Sequence, residues 1–156
     1  MLTKNHINLL FQFFCAISFY SYGTAMMDYF LLYPSRFLVG ENEFIAYHKL
    51  LESAIYPISV IPFLIIVLLN ALLLWFRPER VSKNLLVLSL VCLVLDLFST
   101  IFFQARRNIA LANGKDVALM QKITDTNWGR VFLESAQVVV VLIMMVRRDS
   151  GHAYKA

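Results

Sequence analysis

The sequence is poor in charged residues and in residues that interrupt regular structure. Only 15% of its 156 residues are Asp, Glu, Lys or Arg, and it contains 5 glycines, 4 prolines and 2 cysteines. Soluble domains average about 25% charged residues, so this low share argues against a soluble globular protein. Repeats, low-complexity stretches and domain linkers are also absent, which predicts a single domain over residues 1–156.

Sequence motifs for known chemistry are missing as well. The chain has no GxSxG, no Gly-rich phosphate loop and no CxxCH haem-attachment motif. Its two cysteines, Cys15 and Cys92, lie in apolar runs and lack the CxxC or Cys/His spacing of a zinc site. The sequence therefore predicts no metal site and leaves any cofactor unknown.

Apolar sequence, by contrast, is abundant. Hydrophobic residues make up 60% of the chain, and its mean hydropathy is +0.68. A helix needs roughly 20 residues to span about 30 Å of hydrocarbon, and four runs come close to or exceed that length. These predicted spans are residues 9–32, 58–76, 85–103 and 128–146. Because the runs are continuous rather than alternating, the predicted fold class is all-α, an integral membrane four-helix bundle with up-down-up-down topology.

The connections between the spans differ in kind. The first span is expected to end at Tyr33-Pro34, and residues 43–56 then carry apolar side chains at helical spacing, which predicts a short interfacial helix. Residues 78–84 are predicted to form a tight turn. In the third connection, Asn113-Gly114 predicts a helix end, and a second short helix is expected from Asp116.

The basic residues lie beside the spans. The formal net charge is +4 and the pI is about 9.2, but no separate basic segment remains for nucleic acid, so no nucleic-acid partner is predicted. Charge is nearly balanced between the two membrane sides, with the denser flanking charges, including Arg77, Arg80, Arg147 and Arg148, on the side of the termini. The positive-inside rule then places both termini in the cytoplasm.

Ionisable residues within the spans are the most informative feature. A charge at mid-span costs on the order of 2.5–3.5 kcal/mol even on insertion scales, so each one needs a reason. Asp28, Asp96, Arg130 and Glu134 each lie on a polar stripe with i, i+3 or i+4 spacing. Because successive spans alternate in direction, these positions fall near the membrane face opposite the termini. They predict a polar pocket at that face.

Catalytic roles are assigned by residue type. His48, Asp96 and Glu134 are the predicted acid–base groups, and Arg130 is the predicted anchor for developing negative charge. An alternative explanation is that the buried pairs of opposite charge only hold the helices together.

Two further acids are predicted to contact the ligand, Asp28 and Glu52. Glu52 lies one helical turn after His48, a spacing that can chelate a metal or orient an imidazole. Besides Arg130, one of Arg106 or Arg107 is expected to supply positive charge in the pocket.

Short motifs in and near the loops resemble a known group of proteins. The motifs are Tyr33-Pro34, Val39-Gly40, Glu43-Phe44 with Tyr47-His48, Arg77-Pro78, and Thr126-Asn127-Trp128 with Arg130. In this order they resemble small bacterial four-helix membrane proteins without an assigned activity. That group looks related to the set that includes fungal anthrone oxygenases, and the resemblance covers residues 23–145.

The resemblance implies a bacterial inner-membrane protein. The comparison with anthrone oxygenases further implies oxidation of a flat aromatic substrate by oxygen without an obvious metal. It places Asn127, Trp128 and Arg130 near the site, and Tyr33 is assigned to ligand binding together with Asn127 and Trp128. The chain departs from the group at residues 49–52 and 106–108, where further histidines are expected.

The sequence thus predicts an integral membrane protein, with an enzyme acting on a small lipophilic or aromatic substrate as the first hypothesis. The alternative is a non-catalytic ligand-binding or accessory subunit of a membrane complex. An ion-coupled transporter is less favoured, because no inverted repeat or broken helix is visible. The expected partners are the lipid bilayer and a small lipophilic ligand, and the sequence leaves open a homo-oligomer or a larger membrane complex.

Overall fold

The structure is all-α. A computed structural model describes the backbone of residues 3–153 and the side chains of residues 3–148, and within that range it contains no strand. Residues 1–2 and 154–156 of the predicted domain lie outside the described residues. The four long helices are α1 Lys4–Leu38, α2 Glu41–Trp75, α3 Lys83–Leu111 and α4 Val117–Arg148, the last continuing to Ala153. Each is long and apolar enough to cross a membrane, so the predicted all-α class with four such helices is confirmed.

The end of α3 and the start of α4 follow signals in the sequence. Gly114 has φ +146°, a conformation that glycine adopts without steric cost. Asp116 then caps the next helix, because its carboxylate accepts a hydrogen bond from the Leu119 N–H at 2.9 Å. The helix end predicted at Asn113-Gly114 and the short helix predicted from Asp116 are both confirmed, and that short helix is Val117–Thr126.

The long helices extend beyond the predicted spans, and α3 continues past Phe103 to Leu111. α1 continues past Tyr33-Pro34 through the segment Tyr33–Leu38. The separate interfacial helix predicted over residues 43–56 is instead the first half of α2, which runs through to Trp75 without a non-helical residue. The predicted spans lie within these helices, apart from Phe76 at the end of the second.

Each long helix is interrupted once by a change of helical geometry. α1, α2 and α3 each contain a π-helical segment, and α4 has a turn at Asn127 between its short helix and the segment Trp128–Ala153. The π-helical segments are Asp28–Leu32, Tyr56–Val60 and Thr100–Ala105. Such π-turns are rare in helices and are frequent at functional sites.

Prolines account for two of the three π-helical segments. Proline has no N–H and crowds the carbonyl four residues before it. For Pro34 and Pro62 those carbonyls belong to Phe30 and Ile58, which lie within the π-helical segments of α1 and α2. A wider turn relieves the crowding and keeps the helix continuous, which is how proline is tolerated in apolar helices.

The long helices pack into a bundle in which neighbours along the chain are also neighbours in space. α1 contacts α2, α2 contacts α3, α3 contacts α4, and α4 closes the ring against α1. Apolar side chains fill one half of its interior, around Phe11, Phe14, Leu73, Leu86, Val141 and Met144. At that half, the exposed ion pair between Lys4 Nζ and Glu79 Oε1 is 2.7 Å long, and Lys4 holds the pKa of Glu79 below its usual range.

The outer surface of the bundle is rich in exposed apolar side chains. Trp75 is 82% exposed and Phe132 is 71% exposed, and every long helix carries several large apolar residues of this kind. In water such continuous apolar surface would associate, whereas lipid tails solvate it. With the four candidate spans, this surface indicates an integral membrane protein.

Candidate functional site

The guanidinium of Arg130 is the centre of a buried charged cluster. Its Nε donates to Asp96 Oδ1 at 3.3 Å, its Nη2 donates to Glu134 Oε1 at 3.2 Å, and its Nη1 lies 3.5 Å from Asn127 Oδ1. The side chains of Asp96 and Glu134 are 1% and 6% exposed. Because Asp96 belongs to α3 and the other three to α4, the cluster ties these two helices together.

The cluster has more acceptors than donors. Asp96 Oδ2 and Glu134 Oε2 are buried and have no hydrogen-bond partner. A third buried carboxylate, Asp28 of α1, interacts electrostatically with both Arg130 and Arg36. Three carboxyl groups therefore face two guanidinium groups, and one negative charge is left unbalanced when all are ionised.

Arg36 is a second arginine in the interior and joins α1 to α3. It is 6% exposed, its Nη1 donates to Asn108 Oδ1 at 2.8 Å, and its guanidinium lies 5.1 Å from the centre of the Tyr33 ring. Its Nε is buried without a hydrogen-bond partner. A buried N–H without an acceptor is costly, so this atom is a candidate contact for a bound molecule.

His48 of α2 lies beside Arg36 rather than beside the carboxylates of the charged cluster. Its Nε2 is 3.0 Å from the backbone oxygen of Asn108, and its ring stacks on Phe44 at 6.0 Å between centroids. Its Nδ1 is buried without a partner. Glu52, one turn further along α2, is half-buried and attracts His48 electrostatically.

A cleft opens between α1 and α2 at their π-helical segments. Its volume is about 60 Å³, which is room for a few water molecules or a small polar group. The polar part of its wall consists of Asp28, Tyr33, Arg36 and Ser59, and the apolar part consists of Leu32, Leu51, Ala54, Ile55 and Ile58. We call this feature the α1–α2 cleft.

A neutral hydrogen-bonded group lies between the charged cluster and the apolar half of the bundle. Gln137 Nε2 donates to Ser18 Oγ and Ser89 Oγ at 3.3 Å each, and the Asn70 amide is 2.7 Å from Ser89 Oγ. These four side chains come from four different helices. They link all the helices of the bundle at one level.

The structure separates the predicted site residues into groups. Asp96, Glu134, Arg130 and Asn127 form the charged cluster, and Asp28 and Tyr33 line the α1–α2 cleft beside it. His48 belongs to the group around Arg36 and Asn108, with Glu52 nearby. Trp128 lies on the outer surface, 57% exposed, with its ring 4.8 Å from that of Tyr29.

The prediction that Arg106 or Arg107 supplies positive charge to the pocket is wrong. Arg106 is exposed beside Phe102, and Arg107 donates to Thr126 Oγ1 at 2.7 Å. The interior cation besides Arg130 is Arg36, which lies beyond the predicted first span of residues 9–32.

The position of Arg36 depends on the π-helical segment of α1. In an unbroken α-helix, residues eight positions apart such as Asp28 and Arg36 are rotated by about 80° relative to each other, since each residue turns about 100°. A π-turn absorbs one extra residue, which brings the two side chains within about 20° of the same face. Ordinary helical periodicity therefore could not have paired them.

Metal ligands do not converge in the described part of the chain. Among residues 3–148, no group of three or more His, Cys, Asp or Glu side chains is placed to hold a metal ion.

The fold and the site define an all-α protein with four candidate membrane spans, a charged cluster in one half of its interior and a small cleft beside that cluster. No protein-family model, curated protein or solved structure matches the chain. The α1–α2 cleft and the charged cluster are therefore the features that indicate a function.

Proposed function

We propose that the protein crosses a bacterial inner membrane four times in up-down-up-down order and binds a small lipophilic molecule in the α1–α2 cleft. The observation that supports binding is the lining of the cleft. Asp28, Tyr33 and Arg36 present polar groups on one side, and apolar residues of α2 such as Ile55 and Ile58 form the other side. Ligand sites typically combine apolar walls with a few polar groups that fix orientation.

Two contacts support the proposed topology. The ion pair between Lys4 and Glu79 joins the start of α1 to the connection between α2 and α3. The Arg148 guanidinium lies 5.1 Å from the centre of the Phe11 ring and joins the last part of α4 to the first part of α1. Alternating spans require these segments to share one side, and Arg77, Arg80, Arg147 and Arg148 favour the cytoplasm for that side.

The location of the α1–α2 cleft suits a ligand that arrives from the lipid. Ile58, on its apolar wall, is 48% exposed on the outer surface of the bundle. A hydrocarbon chain lying along Ile58 and Ile55 would remain in contact with lipid while its polar end reaches Asp28 and Arg36. Such a ligand avoids the cost of placing a polar group in hydrocarbon without a partner.

A second candidate function is an enzyme acting on the molecule held in the cleft. The observation that favours it is the link between Asp28, on the cleft wall, and Arg130, which holds Asp96 and Glu134. In this proposal Asp28 is the acid–base group that touches the substrate, and Arg36 stabilises negative charge developing on it. Asp96, Glu134 and His48 do not line the cleft, so they would act by positioning other groups.

Photo-crosslinking tests the binding proposal. A long-chain alkyl diazirine is added to the protein in lipid nanodiscs, and the sample is irradiated. The labelled peptides are then identified by mass spectrometry. We expect labelling to be enriched on residues 51–58 of α2 relative to lipid-facing residues of α3 such as Leu88 and Val91.

The control is a pair of matched substitutions on α2. Ile58→Trp fills the cleft, whereas Ile61→Trp makes the same change at a residue that is 52% exposed and does not line it. Only Ile58→Trp should remove the enrichment. Labelling that is equal at all lipid-facing residues and unchanged by Ile58→Trp would contradict ligand binding in the cleft.

Chemical analysis of the bound molecule distinguishes the two candidates. The lipophilic molecule that co-purifies with the protein is identified by mass spectrometry and incubated with fresh protein. An enzyme converts it, and Asp28→Asn abolishes the conversion while the protein still binds it. A binding protein returns the molecule unchanged under every condition tried.

A further inference from the structure

We propose that the α1–α2 cleft selects a neutral lipid with a free hydroxyl group, such as a long-chain alcohol or a diacylglycerol. This inference rests on the proposed binding function and adds the chemical class of the ligand.

The first observation is a donor without an acceptor. Arg36 lines the cleft, is 6% exposed, and uses its Nη1 on Asn108, while its Nε–H is buried without a partner. Because a protonated guanidinium has only donors, the group that satisfies Nε must offer an oxygen lone pair.

The second observation is an acceptor on the same wall. Asp28 lines the cleft and offers carboxylate oxygens, and it lies close enough to Arg36 for the two charges to attract. A hydroxyl group both donates and accepts, so one hydroxyl can accept from Arg36 Nε and donate to Asp28. An ester, ether or ketone could accept from Arg36 but has nothing to give to Asp28.

The surrounding charges disfavour an ionised ligand. Asp28, Asp96 and Glu134 already outnumber Arg36 and Arg130, so a carboxylate or phosphate would add negative charge to a site that lacks countercharge. An ammonium group would be attracted by Asp28, but it has no lone pair for Arg36 Nε and would repel that guanidinium. A neutral hydroxyl adds no charge to the site and offers a lone pair to Arg36 Nε.

The size of the cleft fits the polar end of such a lipid. About 60 Å³ accommodates a hydroxyl and the first carbons of a chain, and it does not accommodate a whole lipid. The rest of the chain would lie along Leu51, Ile55 and Ile58 toward the lipid-facing surface.

Competition with matched lipids tests the proposal on the unmodified protein. Oleyl alcohol, oleyl methyl ether, oleic acid and oleylamine share one hydrocarbon chain and differ in the polar group. Each is titrated against crosslinking of the alkyl diazirine to residues 51–58 in nanodiscs. We expect oleyl alcohol to compete at roughly tenfold lower concentration than the ether, because the ether cannot donate a hydrogen bond to the charged Asp28. The alcohol should also compete at lower concentration than oleic acid and oleylamine.

Substitution of Asp28 tests which residue sets the preference. Asp28→Asn should reduce the advantage of the alcohol over the ether to a few-fold, because a neutral amide oxygen accepts less strongly than a carboxylate. Asp125→Asn is the matched control, since Asp125 is exposed and its side chain contacts Gln121 on α4 rather than the cleft. It should leave the advantage unchanged.

The outcomes separate this inference from the proposed function. Equal competition by alcohol and ether, or stronger competition by oleic acid or oleylamine, overturns the hydroxyl preference but leaves lipid binding intact, provided that Ile58→Trp still blocks labelling. Labelling that none of the four lipids displaces, and that Ile58→Trp does not change, overturns the proposed function itself.

Discussion

Replacing Arg130 by methionine should destabilise the protein strongly. The change removes the donors at 3.3 Å from Asp96 and 3.2 Å from Glu134 and leaves both carboxyl groups in the interior, where they are 1% and 6% exposed. Breaking a buried ion pair by removing one partner costs about 3–5 kcal/mol. Since proteins are stable by only about 5–15 kcal/mol, this is a large share of the free energy of unfolding.

The assay is equilibrium unfolding in mixed micelles of a mild detergent and dodecyl sulfate, followed by far-ultraviolet circular dichroism. Arg106→Met is the control, because Arg106 is an exposed arginine whose guanidinium lies 5.9 Å from the centre of the Phe102 ring. We expect Arg106→Met to change the free energy of unfolding by less than about 1 kcal/mol.

A triple variant shows whether the loss comes from stranded charge. Arg130→Met combined with Asp96→Asn and Glu134→Gln removes the two acids together with their partner, and the two amides can bond to each other. This variant should recover at least half of the loss caused by Arg130→Met alone, as neutral replacements of whole buried ion pairs often do. The reasoning is refuted if Arg130→Met costs less than about 1 kcal/mol or if the triple variant is no more stable than the single one.

The remaining predictions concern the bundle and its orientation. Gln137→Leu should lower the free energy of unfolding by about 1–2 kcal/mol, because it removes two buried interhelical hydrogen bonds. Gln121→Leu, at an exposed position, should not lower it. Equal effects of the two substitutions would show that the neutral hydrogen-bonded group does not hold the helices together. In a cysteine-free background, single cysteines at Thr3 and Glu79 should react with an impermeant maleimide from the same membrane side and one at Asn113 from the other. Labelling of all three from one side would contradict the up-down-up-down topology.

The helical class could be predicted because it depends on local composition. Continuous runs of Leu, Ile, Val and Phe long enough to span hydrocarbon satisfy their backbone as helices, since barrel strands alternate apolar and polar residues. The helix end at Gly114 and the helix cap at Asp116 could also be predicted, because each depends on only a few neighbouring residues. The continuity of α2 could not be predicted, because residues 43–56 and 58–76 were expected to be separate helices and the sequence pattern alone does not show that a π-helical segment joins them.

The candidate site could be predicted in part for the same reason. Asp96, Arg130 and Glu134 were expected together because each lies in an uninterrupted α-helical segment where i, i+4 spacing holds. Arg36 was missed because a π-turn rotates it toward Asp28. Trp128 was predicted to contact the ligand but lies on the outer surface, because tertiary packing decides which side of a helix end faces outward. The α1–α2 cleft itself arises between two helices and has no counterpart in local sequence.

An experimental density map of the protein in lipid nanodiscs, prepared with oleyl alcohol, tests the central claim most directly. The account predicts a continuous elongated density that enters between α1 and α2 along Ile55 and Ile58 and ends within hydrogen-bonding distance of Asp28 and Arg36. A map in which side chains close the cleft, or in which lipid surrounds the four helices without entering it, would contradict the account.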